Sequence, residues 1–320
     1  MQATAQAQPN IALIKYWGKS SVSENLPAVG SLSITLESLS TRMTVKFDKS
    51  LPTDRLLLNG DPAAHMLPRV SACLDRLIGA SRAAASIDSE CNFPIAAGLA
   101  SSASAFAALT VAASHAAGLK LDTLSLARAA GRASGSAARS LYGGFVELQM
   151  HRQDIAVDTL LEAEAWPLAV IVAVTATGEK PVSSSSAMQL SAETSPFYGK
   201  WVESQDQDLQ IARSAVAERD FEALAAISEH NCLKMHSVMW GSRPPIVYWN
   251  RTTLECMETV RGLQKRQVPV FFTIDAGPQV KAVCLPDVAD EVHRAMQRTE
   301  GVITTMRSTL GDGARVLRVP

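Results

Sequence analysis

Residues 93–106 combine features that suit the binding of a phosphate group. Pro94 and Gly98 interrupt regular structure, and residues 103–118, which follow, are nearly all small or good helix formers. A backbone with small side chains can approach a ligand closely, and the first turn of a helix offers unpaired N–H groups to an anion. Ser101 and Ser102 add two hydroxyls. The structural alternative is an ordinary helix start followed by a helix that packs through small residues.

The segment Lys15-Tyr16-Trp17-Gly18-Lys19 is a second candidate, because two ammonium groups flank two aromatic rings and a glycine. Beside a phosphate loop, the two lysines would help to bind an anionic substrate. Taken alone, the same segment also fits a surface turn whose lysine side chains extend along the protein.

Arg139 and Asp275 complete the set of candidate groups. Arg139 lies in a second loop of small residues, 134–140, and arginine presents a planar fork that suits carboxylate or phosphate. Asp275 follows a predicted strand and precedes small residues and a proline. This arrangement often positions a catalytic carboxylate at the end of a strand, and it is also a common way to start a turn. A phosphate loop, lysines, an arginine and one acid suit phosphoryl transfer, which depends on positioning and charge stabilisation.

The pattern around these groups predicts a chain of mixed helices and strands. Apolar or alternating runs predict strands at 31–36, 42–47, 55–59, 84–91, 145–150, 168–174, 270–274 and 280–284. Apolar spacing and capping signals predict helices at 63–79, 103–118, 122–133, most of 187–266, and 287–299. A second half opens at Trp166, and the serine run 183–186 is interpreted as a third loop that faces the same ligand.

Composition favours a soluble globular protein with a small-molecule substrate. The 320 residues include 30 basic and 31 acidic side chains, a balance that gives no electrostatic reason to expect nucleic acid or an anionic membrane as a partner. The 5 cysteines are scattered, which suggests a reduced, cytoplasmic chain. We expect no signal peptide and no membrane span, since the start of the chain and its apolar runs fit neither.

The segment PIAAGLASSA at 94–103 resembles the phosphate-binding motif of the GHMP kinase superfamily. Four further segments narrow the resemblance to the diphosphomevalonate decarboxylase family, in that family's order and spacing across nearly the whole chain. These segments are residues 10–19, 134–144, 180–188 and 274–278.

The resemblance implies an α+β fold with two halves around a deep active-site cleft. The first half, 1–165, would be similar to ribosomal protein S5 domain 2 and carry the phosphate-binding loop. The second half, 166–320, would be ferredoxin-like and supply the catalytic aspartate. The resemblance also implies a cytoplasmic homodimer.

The resemblance further implies an enzyme that spends ATP to decarboxylate (R)-5-diphosphomevalonate, giving isopentenyl diphosphate, carbon dioxide, ADP and phosphate. Asp275 would orient or deprotonate the 3-hydroxyl group as the γ-phosphoryl group arrives, with Lys15 beside it. Arg139 would hold the C1 carboxylate.

The remaining roles that the resemblance implies concern binding of the two substrates. Ser134 and Ser136 would shape the pocket around the carboxylate, and Tyr16 and Lys19 would contact the diphosphate. Magnesium would accompany ATP, with no protein ligand assigned to the metal. The ATP phosphates would be held by Gly98, Leu99, Ala100, Ser101, Ser102 and Ser184.

Several positions depart from the family's usual pattern, and they leave the substituent at C5 open. They are Val29-Gly30-Ser31, Ser185, Ala187 and Gln279. The alternatives are therefore a decarboxylase that acts on the 5-monophosphate, a mevalonate 3-kinase, and a non-catalytic homologue that binds ligands or partners. The presence of Lys15, Arg139 and Asp275 argues against the last two.

Overall fold

In the computed structural model of the chain, the described residues are 1–93, 100–151, 153–178 and 180–317. The first part of the chain forms strands that alternate with three helices. Its strands are β1 (Gln2–Ala7), β2 (Asn10–Ile14), β3 (Lys19–Ser21), β4 (Leu26–Pro27), β5 (Ser31–Thr35), β6 (Thr41–Phe47), β7 (Arg55–Leu58), β8 (Asp61–Pro62), β9 (Ala85–Cys91), β10 (Phe145–His151) and β11 (Asp154–Leu161). Its helices are α1 (Leu67–Ile78), α2 (Ser101–Ala116) and α3 (Thr123–Ala133), followed by a short 3₁₀ helix, Ala137–Leu141.

The second part of the chain contains longer helices and a second group of strands. Its strands are β12 (Ala169–Val174), β13 (Val270–Ile274), β14 (Val280–Cys284), β15 (Thr304–Thr309) and β16 (Arg315–Leu317). Its helices are α4 (Ser184–Thr194), α5 (Tyr198–Glu218), α6 (Phe221–Trp240), α7 (Arg251–Lys265) and α8 (Ala289–Arg298).

Two main sheets, together with the short antiparallel pair of β3 and β4, build the described part of the N-terminal half. The larger has the strand order β16-β1-β6-β9-β7-β8, and the smaller has the order β11-β10-β5-β2. Helix α2 lies against β1 and β6, and its fully buried alanines Ala107, Ala108 and Ala112 let the helix approach the sheet closely. The last strand, β16, pairs with β1, so the end of the chain returns to the first sheet. The division at 165 and 166 stays a prediction.

The C-terminal half confirms the ferredoxin-like expectation. Its sheet has the order β13-β14-β12-β15, and each neighbouring pair is antiparallel. Helices α4 to α7 lie between β12 and β13 in the chain, and α8 lies between β14 and β15, which gives the βαββαβ order with additional helices. The mixed α+β architecture that the sequence predicts is therefore present.

One apolar core joins the two halves. It contains Ile11 and Leu13 from β2, Val170 and Val172 from β12, and residues of α5 and α6. Because the hydrophobic effect favours burial of this shared surface, the end of β2 is held against the C-terminal sheet.

A buried polar clamp fixes the main chain at the end of β2. The Lys15 N–H donates to Asn231 Oδ1 at 2.7 Å, and the Lys15 carbonyl accepts from Gln205 Nε2 at 2.8 Å. Asn231 Nδ2 in turn donates to Gln205 Oε1 at 2.9 Å and to Asp208 Oδ2 at 2.6 Å. Helices α5 and α6 of the C-terminal half thus position a lysine of the N-terminal half.

We expect Asn231→Ala to lower the free energy of unfolding by about 1–3 kcal/mol, because it removes the hydrogen-bond partner of the buried Lys15 N–H and of Gln205 Oε1. The measurement is urea unfolding followed by circular dichroism. Ser237→Ala on the same helix is the matched control, since Ser237 is exposed and bonds only within α6. Equal losses in the two variants would contradict the role of the clamp.

Candidate active site

Lys15 and Asp275 meet where the two halves join. Lys15 directly follows β2, and its Nζ donates to Asp275 Oδ1 at 2.7 Å and to the Ala12 carbonyl at 2.9 Å. Lys15 is 1% exposed and Trp17 is 2% exposed. The alternative that this segment forms a surface turn is therefore wrong. Asp275 directly follows β13, as the sequence predicts.

Lys281 is a second lysine on the same carboxylate, and sequence reasoning missed it. It lies within β14, and its Nζ is 3.1 Å from Asp275 Oδ2. Burial alone would raise the pKa of Asp275, but the ammonium groups of Lys15 and Lys281 outweigh burial and hold this pKa well below its usual range. Asp275 is therefore a carboxylate at neutral pH.

Arg139 lies in the 3₁₀ helix and is 2% exposed. Its Nε and Nη1 donate to the hydroxyls of Ser33 and Ser31 at 3.0 and 2.6 Å, and its Nη2 donates to Asn10 Oδ1 at 3.3 Å. Burial lowers the pKa of Arg139 to about 10, so the guanidinium stays charged at neutral pH. Among the described residues, no acidic side chain forms an ion pair with Arg139. A buried cation held only by neutral groups favours an anionic ligand.

Tyr16 lies beside Arg139, whose guanidinium carbon is 5.8 Å from the centre of the Tyr16 ring. Tyr16 Oη is buried and has no hydrogen-bond partner among the described atoms, and burial raises the pKa of this phenol to about 12. A Cβ atom at Gly135 would stand 2.2 Å from Tyr16 Oη. The absence of a side chain at residue 135 therefore leaves the space that the Tyr16 hydroxyl occupies.

Ser134 and Ser136 lie on either side of Gly135, and their role in shaping the carboxylate pocket stays a prediction. Ser134 Oγ lies 3.2 Å from Ser102 Oγ in the first turn of α2, and the Ser136 carbonyl accepts from Asn10 Nδ2 at 3.0 Å. Ala100 precedes α2 in the left-handed conformation, with φ of 53°. Gly98 and Leu99, which were assigned to the phosphate loop, lie outside the described residues.

The serine run forms the start of a helix rather than a loop. Ser183 caps α4 by accepting the Ser186 N–H at 3.1 Å, and the helix begins at Ser184. Serine is disfavoured within helices but is a preferred N-cap, so a serine run in a sequence is compatible with a loop and with the start of a helix. Lys19 Nζ donates to Ser185 Oγ at 2.5 Å, which brings one lysine of the N-terminal motif to this helix.

Lys180 is another cation to which sequence reasoning assigned no role. Its Nζ donates to Ser184 Oγ at 2.6 Å and to the Ala276 carbonyl at 3.0 Å, one residue after Asp275. Burial lowers the pKa of Lys180 to about 8, partly opposed by the charge of Asp275. The sequence feature that could have identified Lys180 as a candidate site residue is its position just before the serine run.

Besides Ser185, two further positions that depart from the family's pattern have structural partners. Ser31 binds Arg139, as described above, and Gln279 Oε1 accepts the Thr175 N–H at 2.6 Å. Gln279 lies in the loop after β13, and its side chain therefore ties this loop to the residue that follows β12.

Cations outnumber acids at this centre. Among the described residues, four cationic side chains interact with the carboxylate of Asp275 by contact or by charge, and they are Lys15, Arg139, Lys180 and Lys281. Such an excess of buried positive charge favours ligands that carry phosphate or carboxylate groups. Within the described ranges no three His, Cys, Asp or Glu side chains cluster to hold a metal ion. Oxygen atoms of a bound phosphate would therefore supply most ligands of a divalent cation.

Two family models match this chain. The model described as the diphosphomevalonate decarboxylase-like N-terminal domain matches residues 7–158. The model described as the mevalonate 5-diphosphate decarboxylase C-terminal domain matches residues 170–313.

Curated proteins and solved structures are similar to this chain over most of their length. The diphosphomevalonate decarboxylase of Candida albicans is 35% identical over 313 residues, which cover 90% of this chain and 85% of that protein. The human enzyme of the same name is 35% identical over 320 residues, covering 92% and 79%. A complex of MDDEF with MVAPP, AMPPCP and magnesium has a TM-score of 0.93 at 34% identity, covering 100% of this chain and 99% of that chain. Mevalonate diphosphate decarboxylase from Staphylococcus aureus has a TM-score of 0.92 at 34% identity, covering 99% and 98%.

We expect Gly135→Ala to lower the free energy of unfolding by about 1–3 kcal/mol, because the added Cβ displaces Tyr16 from a packed position. Gly199→Ala in α5 is the control, since a Cβ at Gly199 meets no atom within 4 Å. Urea unfolding of both variants checks the prediction. Unchanged stability of Gly135→Ala would show that Tyr16 does not depend on this glycine.

Proposed function

Because this chain belongs to the diphosphomevalonate decarboxylase family, we propose that it catalyses the ATP-dependent decarboxylation of (R)-5-diphosphomevalonate. The products are isopentenyl diphosphate, carbon dioxide, ADP and phosphate. The observation that carries the proposal is the carboxylate of Asp275, which lies 2.7 Å from the ammonium group of Lys15 at a centre rich in positive charge.

Arg139 binds the C1 carboxylate of the substrate in this proposal. Its three neutral partners fix the plane of the guanidinium, and its charge has no acidic partner among the described side chains. A bidentate contact with a carboxylate would satisfy the charge and set the direction of the C1–C2 bond.

The 5-diphosphate is bound by Tyr16, Lys19 and the groups beside them. The buried Tyr16 hydroxyl gains a hydrogen-bond acceptor from the phosphate oxygens. Burial and the nearby charge of Arg69 both lower the pKa of Lys19. The positive charges of Lys19 and Arg69 favour a diphosphate over a monophosphate at C5, because the second phosphate adds negative charge.

Asp275 handles the proton of the 3-hydroxyl group. With a pKa held well below its usual range, Asp275 first accepts a hydrogen bond and orients the hydroxyl oxygen toward the γ-phosphorus of ATP. As the new O–P bond forms, the hydroxyl becomes more acidic and its proton moves to the carboxylate. Lys15 and Lys180 stabilise the negative charge that is redistributed during this step.

Loss of the 3-phosphate then drives decarboxylation. The C3–O bond breaks with its electron pair on the leaving phosphate, and C3 becomes electron-deficient. The electrons of the C1–C2 bond form the C2–C3 double bond, and C1 leaves as carbon dioxide. The cations around Asp275 stabilise the departing phosphate, and Arg139 releases the carboxylate as its charge disappears.

In this proposal the first turn of α2 holds the ATP phosphates together with magnesium. Ser101 and Ser102 place hydroxyl oxygens at the helix N-terminus, and Ser184 at the start of α4 carries the Lys180 ammonium group as its hydrogen-bond donor. Magnesium takes oxygen ligands and often retains ligands from nucleotide phosphates, so a serine-bearing helix start fits it. When bound, magnesium neutralises part of the phosphate charge.

Assembly and location form a further part of the proposal. We infer a cytoplasmic homodimer from the family relationship, and static light scattering of the purified protein tests the dimer. Throughout the described parts of the chain, no helix is both long enough and apolar enough to cross a membrane.

We expect Asp275→Asn to lower kcat by at least about 1000-fold, because the variant cannot take the hydroxyl proton. The dissociation constant for MgATP should change by less than about threefold, since binding depends on the cations. The measurement is coupled detection of ADP release, with Asp287→Asn as an exposed control in the same half. Unchanged turnover of Asp275→Asn would contradict the role of Asp275.

Lys180 should make nucleotide binding depend on pH. Because burial lowers its pKa to about 8, Lys180 loses its charge as the pH rises through this value, and the affinity for MgATP should fall above about pH 8. In Lys180→Arg the fall should disappear up to about pH 10, since arginine stays charged. Titration calorimetry measures the affinity. An identical pH dependence in both proteins would exclude Lys180 as its source.

A further inference from the structure

Lys281 occupies a position in its strand that the fold otherwise fills with apolar groups. All five residues of β14 are buried, and Lys281 is 0% exposed. On the neighbouring strands its register partners are Val172 of β12 and Thr273 of β13. A buried ammonium group is costly unless other groups compensate it, so apolar packing does not explain a lysine here.

The compensating group is the carboxylate of Asp275, approached from the side opposite to Lys15. Lys15 contacts Oδ1 at 2.7 Å and Lys281 lies 3.1 Å from Oδ2. The two lysines belong to different halves of the chain, because Lys15 follows β2 and Lys281 lies in β14 beside the strand that delivers Asp275. One lysine would be enough to neutralise one carboxylate, so the second adds a net positive charge at a buried site.

We propose that Lys281 is a positioning residue for phosphoryl transfer, which holds the Asp275 carboxylate ionised and fixes its plane from within the C-terminal half. The proposal rests on the proposed function of Asp275. With one oxygen atom engaged by each lysine, the carboxylate has little freedom to rotate about its Cβ–Cγ bond. Its remaining lone pairs then point in fixed directions, and one of them is available to the substrate hydroxyl.

The ionisation of Asp275 responds to all charged and titratable groups that face it. These groups are Lys15 and Arg139 from the N-terminal half and Lys180, Cys232, His236 and Lys281 from the C-terminal half. Burial lowers the pKa of His236 to about 3 and raises the pKa of Cys232, so neither changes charge in mildly acidic solution. The pKa of wild-type Asp275 lies below this range, so an acid limb that appears in a variant but not in wild type reports Asp275.

The test is the pH dependence of kcat/KM for 5-diphosphomevalonate, measured from about pH 5 to about pH 9 in wild type and Lys281→Met. We expect the ratio of variant to wild-type kcat/KM to fall as the pH is lowered toward about 5, because loss of an opposite charge near Asp275 raises the pKa of this carboxyl toward the measured range. We also expect kcat to fall about 10- to 100-fold, less than removal of a direct transition-state donor often costs. Both KM values should stay within about threefold of wild type.

Two further variants separate positioning from a structural role. Lys281→Arg, which keeps the charge, should restore the wild-type pH profile, and Lys265→Met on the surface of α7 should leave the profile unchanged. A lower thermal midpoint in Lys281→Met, with a ratio of variant to wild-type kcat/KM that does not change with pH, would overturn the proposal.

A double-variant comparison covers the case in which Lys281→Met does not fold. Single-turnover rates of Asp275→Asn and Asp275→Asn/Lys281→Gln should be equal if Lys281 acts through Asp275, whereas a further loss in the double variant would contradict it. Absence of ADP and carbon dioxide from the wild-type protein would instead reject the proposed function itself. The two failures are therefore distinguishable.

Discussion

The ionised carboxylate of Asp275 is the constraint on which the rest of the site depends. A carboxylate that loses part of its hydration is costly unless positive groups compensate it, and here Lys15 and Lys281 approach its two oxygens at 2.7 and 3.1 Å. These contacts require the end of β2, the end of β13 and the middle of β14 to meet at one point. The apolar core shared by the two halves and the clamp of Asn231 and Gln205 on Lys15 bring them there.

The excess of positive charge around this carboxylate connects the fold with the chemistry. Arg139 is held by neutral side chains alone among the described residues, and Lys180 is held by a hydroxyl and a carbonyl. Substrates that carry carboxylate and phosphate groups complete these interactions. Transfer of a phosphoryl group and departure of phosphate both redistribute negative charge, so cations fixed in advance lower the barrier without reorganisation.

Much of this centre could be predicted from sequence, and the remainder depends on tertiary packing. Lys15, Arg139 and Asp275 lie in recognisable segments beside glycines or small residues, and the structure places Lys15 against Asp275. Lys281 carries no such signal, because it lies in a short apolar strand. Only the pairing register of this strand with β13 brings its ammonium group to Asp275, and the local sequence does not reveal that register. Strands β11 and β15 were not predicted, since polar residues in both conceal the strand pattern. The serine run was read as a loop because serine suits a turn and an N-cap equally.

The most direct test of the account is the stoichiometry of ADP and carbon dioxide released by the purified protein with ATP, magnesium and one of three substrates. Mevalonate, its 5-phosphate and its 5-diphosphate are compared in parallel. The account predicts equal amounts of both products from the 5-diphosphate and neither from the other two compounds. ADP without carbon dioxide, or both products from the 5-phosphate instead, would contradict it.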